Sequence, residues 1–217
     1  MEPTIEDREA ATRILGEAAG KLYLARQSFE DEIAVILAVQ NAVLSTAPKN
    51  DGIPLKESRE PEDLHARRSG LCYDRSRAIE KLLRLAGFKT RHVFVYSTAS
   101  SLALASLLTP QVPSHAVSEV LTSKGWLLID SNRRWIGLAD DDRPISIEQI
   151  KTREAPADGQ MDPIFSSSFS YVYGLYSRHG MFFEPYTPIP DVNWSELLEN
   201  FTSYRALSAT RDSVSGA

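Results

Sequence analysis

The chain has 217 residues, of which 42% are hydrophobic and 24% are charged, and its formal net charge is −5. This composition is typical of a folded domain with a single core. The basic residues are scattered among acids, which excludes the phosphate-binding stripe of a nucleic-acid-binding protein. No apolar run approaches the roughly 18 residues that span a bilayer, so we expect no membrane contact.

The N-terminal stretch "MEPTIEDREAATRIL" is acidic and lacks the apolar core of a secretory signal. Cys72, the single cysteine, cannot form an internal disulfide or half of a CxxC metal or redox pair. Both features predict a cytoplasmic protein.

Apolar residues at helical spacing predict a first helix over about 4–26 and a second over about 30–46, followed by a polar loop over 48–61. A third helix begins at Cys72 and ends at Gly87, where a left-handed residue would terminate it. The β-branched and aromatic stretch "TRHVFVYS" then predicts a strand.

"SLALASLLTPQVP" is expected to form a loop or short helix, and "SHAVSEVLTSKGWLLIDSN" a hairpin with its turn at "TSKG". The aromatic residues of 165–186 indicate a late strand or a covering segment, and "NWSELLENF" a short helix capped by Asn193 or Ser195. We predict a single domain over 1–207, with its core at about 30–150, and a disordered tail over 208–217.

Cys72 is a candidate nucleophile because it stands at the start of a predicted helix. Unpaired N–H groups at a helix N-terminus stabilise an anion, and they could also hold the oxyanion that forms when a thiolate attacks a carbonyl. Gly70 would let the backbone turn sharply and leave room for a substrate. The alternative is an inert buried cysteine, because free cysteines are among the most buried residue types.

A nucleophilic cysteine needs a base, and the chain has four histidines. His65 falls in a polar approach loop, His92 lies inside an apolar strand and is expected to be structural, and His179 has no obvious partner. His115 differs from these because it opens the hairpin whose second strand ends at Asp130.

The parity of that hairpin predicts a contact between His115 and Asp130. If Thr122 pairs with Gly125, Asp130 faces Val117, which lies on the same strand face as His115. The two side chains are then diagonal neighbours, with Cβ atoms roughly 7 Å apart. The carboxylate would fix the tautomer of the imidazole and stabilise its protonated form. The alternative for Asp130 is a strand-end residue that caps the turn toward "SNRR".

Together, "RRSGLCYDRSRAIEKLLRLAGFKTRHVFV", "SHAVSEV" and "GWLLIDSN" resemble the transglutaminase-like superfamily. The strong resemblance covers about residues 62–131, and "DEIAVILAVQNAVL" resembles, less specifically, the helix that usually precedes this core. The residues that match the family pattern are Gly70, Cys72, Leu82, Leu83, Arg84, Gly87, Arg91, His115, Glu119, Gly125, Trp126 and Asp130.

The resemblance implies an α+β fold with a papain-like core, in which the helix that bears the nucleophile packs on an antiparallel β-sheet and further helices precede it. It also implies a catalytic triad of Cys72, His115 and Asp130, with no metal and no organic cofactor. Val117 and "YDRS" after the cysteine depart from the common family pattern and would reshape the cleft. Gln40 and Asn41 are possible oxyanion donors, but a surface or packing role is favoured for each. We therefore assign the role of oxyanion donor to the backbone N–H of Cys72.

The implied activity is acyl transfer on amide bonds of a protein or peptide substrate through a thioester. Water as acceptor makes the protein a cysteine peptidase or amidase, which we favour, whereas an amine makes it a protein-glutamine transglutaminase. A third alternative is a non-catalytic protein-binding module on the same fold, with the aromatic stretch 165–186 as its docking surface.

Overall fold

The computed structural model describes residues 3–23, 26–52, 57–107, 109, 112–152, 160–175 and 193–201. Within them, the elements before the first strand are α1 (Ile5–Leu15), a 3₁₀-helix (Gly16–Tyr23), α2 (Phe29–Thr46), α3 (Pro61–Arg67) and α4 (Cys72–Leu85). The remaining elements are β1 (Lys89–Ser97), α5 (Ala103–Leu107), β2 (Ser114–Thr122), β3 (Gly125–Asp130), α6 (Ile147–Thr152), a 3₁₀-helix (Pro163–Ser166), β4 (Phe169–Tyr173) and α7 (194–201).

The four described strands form one antiparallel sheet in the order β3-β2-β1-β4. Helix α4 packs across β1 and β2, and α1 and α2 pack against α4. The predicted α+β fold is therefore confirmed, including the helix that begins at Cys72 and its position on the sheet.

Each face of the sheet covers an apolar cluster. One cluster lies between the sheet and helices α1, α2 and α4, where Val120, Leu127 and Ile129 meet the helices. The other lies on the opposite face, between the sheet and α6, and includes Val117 and Leu128. Burial on both faces fixes the register of β2 and β3, because a shift by one residue would exchange the two faces.

Local signals explain where the helices begin and end. Ser28 caps α2 and Asp31 reaches back to its backbone, which forms a capping box. Helix α4 ends before Gly87, whose φ of 80° is the left-handed conformation that glycine favours. The predicted helix over 4–26 is α-helical only to Leu15, because Gly16 has a φ of 54° and the chain continues as a 3₁₀-helix.

The prediction that His65 falls in a polar approach loop is wrong. Residues Pro61–Arg67 form α3, which places His65 on a helix, with a proline at its start and a left-handed Arg68 (φ 57°) at its end. The aromatic stretch contributes β4, whereas residues 176–192 and the tail 208–217 lie outside the described residues. The extent of the domain, 1–207, stays a prediction.

The buried pair of Arg91 and Glu119 joins β1, β2 and α6. The two residues face each other in the register of β1 and β2, and Arg91 Nε donates to Glu119 Oε2 at 2.7 Å. The guanidinium lies between the rings of Trp126 and Tyr173, 4.0 Å from each centroid. Burial raises the pKa of Glu119, and the charge of Arg91 opposes that rise. Glu119 also accepts from the N–H of Ile147 at 2.7 Å.

Arg91→Met should lower the free energy of unfolding by about 3–5 kcal/mol, because it leaves the carboxylate of Glu119 buried without its cation. Lys89→Met is the matched control on the same strand, because the Lys89 side chain is 62% exposed, and it should change that free energy by less than about 0.5 kcal/mol. Urea unfolding of both variants measures the difference. Equal stability of the two variants would contradict the structural role of the buried pair.

Candidate active site

Cys72 is the first residue of α4 and is partly exposed. The preceding Leu71 has an extended backbone, and its N–H donates to Asp74 Oδ2 at 2.9 Å, which holds the start of the helix in place. The first N–H groups of a helix have no acceptor within the helix. The sulfur therefore lies beside backbone donors that can stabilise a negative charge.

Gly70 allows a close approach beneath this helix start. A Cβ at position 70 would lie 2.5 Å from a methyl of Leu64 and 3.1 Å from the Cβ of Asp74. The N–H of Gly70 donates to the carbonyl of Lys49 at 3.1 Å. Packing of α3 and α4, rather than a left-handed backbone, is thus the reason that the structure gives for a glycine here.

The hairpin has the register that the sequence predicts. Thr122 pairs with Gly125 and Val117 pairs with Asp130. His115 and Asp130 therefore share a face, and His115 Nε2 lies 3.0 Å from Asp130 Oδ1. Both side chains are buried, His115 with 3% and Asp130 with none of its surface exposed.

The carboxylate of Asp130 is held by the loop that follows it. The backbone N–H groups of Asn132 and Arg133 donate to Oδ1 at 2.8 and 3.1 Å, in addition to the ring of His115. Burial alone would raise the pKa of Asp130, but the hydrogen bonds and the charge of His115 hold it below its usual value. Asp130 therefore stays ionised against the imidazole.

His115 lies between Asp130 and Cys72. Burial would lower its pKa, but the hydrogen bonds to Asp130 and Cys72 and the negative charges of both raise it to about 10. Because Nε2 faces Asp130, Nδ1 is the atom left for Cys72. The Nδ2 of Asn132 also lies 3.5 Å from Nδ1. The structure thus joins the imidazole to the carboxylate by a hydrogen bond and places Cys72 close enough to His115 for its charge to raise the pKa of the ring.

The other histidines lie away from this series or outside the description. His92 is fully buried on β1, and its Nδ1 lies 2.8 Å from Glu80 Oε1, in agreement with a structural role. His65 lies on α3, and His179 lies outside the described residues.

Gln40 holds the loop after Asp130. Its Nε2 donates to the main-chain carbonyls of Asp130, Arg133 and Trp135 at 2.8, 3.0 and 2.6 Å. Asn41 instead accepts a hydrogen bond from Arg134 at the surface. Gln40 is therefore a buried positioning residue for the loop, a more specific role than the sequence indicated.

Arg75 and Asn132 are parts of the site that the sequence did not reveal. Arg75 lies one turn after Cys72 on α4, and its Nη1 donates to Asn132 Oδ1 at 2.7 Å. The Nδ2 of Asn132 lies beside His115 Nδ1, a packing contact rather than a hydrogen bond when Nδ1 carries a proton. In the sequence, only the spacing of three residues between Cys72 and Arg75 indicated that Arg75 lies near the site. The groups that bind its guanidinium are distant in the chain.

Among the residues described, no group of three or more His, Cys, Asp or Glu side chains is arranged to hold a metal ion. Within the same part of the chain, the helices are too short or too polar to cross a bilayer.

Residues 24–131 match the model of the transglutaminase-like superfamily. The matched range begins before α2 and ends one residue after Asp130, so it includes α4 and the complete hairpin. A comparison of the chain with curated proteins found no match.

The protonation of His115 should make stability depend on pH. The pKa of His115 is about 10 in the folded protein and about 6.5 in an unfolded chain, so between these values the ring keeps in the folded state a proton that it loses on unfolding. The stabilisation is complete below about pH 6.5 and is lost as the pH rises toward 10. Urea unfolding should show the difference in stability between the native protein and His115→Gln shrinking over this range. A difference independent of pH would contradict the shift.

Gln40→Leu should destabilise the protein by about 1–3 kcal/mol, because it removes the side-chain hydrogen bonds that hold three main-chain carbonyls of the loop. Asn41→Ala, at the next position on the same helix, is the matched control and should cost about 0.5 kcal/mol or less. Thermal or urea unfolding measures both. The role assigned to Gln40 would be wrong if the two variants were equally stable.

Proposed function

Because the chain belongs to the transglutaminase-like superfamily through residues 24–131, we propose that it is a thiol-dependent acyl-transfer enzyme that acts on amide bonds of proteins or peptides. Membership of this superfamily supports the general assignment of the chain as a papain-like cysteine enzyme. Our proposal is more specific, because it assigns Cys72 as the nucleophile, His115 as the proton carrier and Asp130 as the residue that orients His115.

The observation that carries this proposal is the hydrogen bond between the His115 ring and Asp130, together with the raised pKa of that ring beside Cys72. A nucleophile in contact with a base, which is in turn held by a third group, is the arrangement that activates a thiol for attack on a carbonyl. An inert cysteine requires neither a histidine contact nor a partly exposed position at a helix start.

In the acylation step, the thiolate of Cys72 attacks the carbonyl carbon of the amide, and a C–S bond forms. The backbone N–H of Cys72 donates to the oxyanion that results. The C–N bond then breaks, and the leaving amine takes the proton from Nδ1 of His115. The product is a thioester on Cys72 and a neutral imidazole whose Nε2–H still faces Asp130.

In the second step, an acceptor attacks the thioester carbonyl while Nδ1 of His115 takes the proton of the acceptor. The C–S bond breaks, and Cys72 leaves as a thiolate beside the reprotonated ring. Water as acceptor gives a carboxylic acid and makes the protein a peptidase or amidase, which we favour. A primary amine would give a new amide and make it a transglutaminase.

The described part of the aromatic stretch favours an enzyme over a docking module. Phe165, Phe169 and Tyr173 are buried in the second apolar cluster. The ring of Phe165 also meets that of His115 edge-on, with centroids 6.4 Å apart. These three aromatic side chains therefore serve the core and one wall beside the imidazole, and they are not exposed to bind a partner.

A peptide-cleavage assay beside a fluorescent-amine incorporation assay tests the proposal. Cleavage should occur with the native protein and disappear with Cys72→Ala, and His115→Ala should lower kcat by about 10²–10⁴-fold. His65→Ala, which changes a histidine on α3, is the matched control and should retain activity. Amine incorporation without cleavage would identify a transglutaminase instead.

Alkylation of Cys72 tests the same site without a substrate. Iodoacetamide should modify the native protein rapidly near pH 6, and His115→Ala should slow the reaction. Slow alkylation that is unaffected by His115→Ala, together with no turnover in either assay, would overturn the enzyme and favour a binding module.

A further inference from the structure

Arg75 is a buried cation whose hydrogen-bond acceptors are all uncharged. Only 3% of its surface is exposed. Among the described residues, no carboxylate lies within ion-pair distance of it. Its guanidinium donates to the carbonyls of Ala47 and Lys49, both at 2.9 Å, and to the side-chain oxygens of Asn50 and Asn132, at 3.2 and 2.7 Å.

Other buried or nearly buried cations of the described chain each contact a carboxylate. Lys81 lies 2.8 Å from Asp7, Arg91 lies 2.7 Å from Glu119, and Arg59 lies 2.8 Å from Asp74. Burial of a charge without an opposite charge is costly, so a guanidinium in this position needs an anion nearby. Arg75 is the exception that requires an explanation.

The group near Arg75 that can become an anion is the thiol of Cys72. Residues three apart on a helix are neighbours on one face, and Cys72 is three residues before Arg75. Burial lowers the pKa of Arg75, and the negative charges of Cys72 and Asp74 oppose that decrease. Asp74 is already bound by Arg59 and by the N–H of Leu71, which leaves the thiolate as the counter-ion of Arg75.

We propose that Arg75 is the permanent counter-cation of the Cys72 thiolate, and that it stabilises this anion independently of His115. This inference rests on the proposed function, because it takes Cys72 as the nucleophile. Arg75 is a positioning residue and not a catalytic one, since it acts on the charge of Cys72 and on the orientation of Asn132. A guanidinium has no acceptor, so the atom that Arg75 contacts must be the amide oxygen of Asn132, and the NH₂ group faces His115.

A permanent cation supplies a positive charge beside the Cys72 sulfur at every step of the reaction, which His115 does not. His115 gives its proton to the leaving amine, so the imidazolium charge is absent while the thioester exists. When the acceptor attacks, the C–S bond breaks and the sulfur must leave as an anion. His115 regains its charge only when it takes the proton of the acceptor, whereas Arg75 stays charged throughout the reaction, because a guanidinium does not lose its proton at working pH.

Several charged groups besides Arg75 lie around Cys72, and the experiment must leave them in place. His115 faces it from β2, with Asp130 behind the ring on β3, and Asp74 with its partner Arg59 lies on the side of the helix start. Substitution of Arg75 removes one charge from this set while the other four groups keep their identity.

The test is the pH profile of Cys72 alkylation by iodoacetamide in the full chain. Arg75→Gln should move the midpoint of the profile upward by about one pH unit or more. Arg75→Lys should stay close to the native profile, because it keeps the charge. Arg77→Gln is the matched control, because Arg77 lies on the same helix as Arg75 and is paired with Glu60. This variant should leave the profile unchanged. An unchanged midpoint for Arg75→Gln would overturn the inference.

A second measurement leaves Arg75 in place and therefore does not depend on the folding of its variants. The measurement is the absorbance of the thiolate near 240 nm in His115→Ala. The absorbance of the double variant His115→Ala, Cys72→Ala is subtracted as the background. The remaining thiolate absorbance should persist below pH 8. Absorbance that appears only near pH 8.5, as for an ordinary thiol, would contradict a stabilising role for Arg75. If the native protein is alkylated rapidly near pH 6 but the thiolate of His115→Ala appears only near pH 8.5, the inference about Arg75 is wrong and the proposed function is still supported. Slow native alkylation would instead count against both.

Discussion

The site depends on the register of one hairpin. Because Thr122 pairs with Gly125 across a short turn, Val117 must pair with Asp130, and this brings the carboxylate onto the same face as His115. A shift by one residue would move Asp130 to the opposite face and break the contact. The apolar clusters on both faces of the sheet resist such a shift, so the hydrophobic pattern and the chemistry of the site are fixed by the same pairing.

Buried polar contacts connect this hairpin to the helices. Gln40 reaches from α2 to three carbonyls of the loop after Asp130, and Arg75 reaches from α4 to Asn132 in the same loop. Gln40 and Arg75 are themselves buried, so loss of their loop partners would leave buried donors unsatisfied, at a considerable cost. The helix that carries Cys72 and the strands that carry His115 and Asp130 therefore hold a fixed relative position.

The sequence predicted the parts of the site that follow from local periodicity. The start of α4 at Cys72, its end before Gly87 and the pairing of Asp130 follow from helical spacing, a left-handed glycine and a short turn. Helix α3 has seven residues, too few for a periodic pattern to appear. The roles of Gln40 and Arg75 depend on partners 25 or more residues away, so no local pattern could predict them.

The central claim is that Cys72 and Asp130 together hold a proton on the buried ring of His115. The most direct test is the ¹⁵N chemical shifts of the His115 ring near pH 8, where an unperturbed histidine is largely neutral. We predict that both ring nitrogens are protonated at this pH, with the shifts of an imidazolium. A neutral ring with one unprotonated nitrogen near pH 8 would contradict the account.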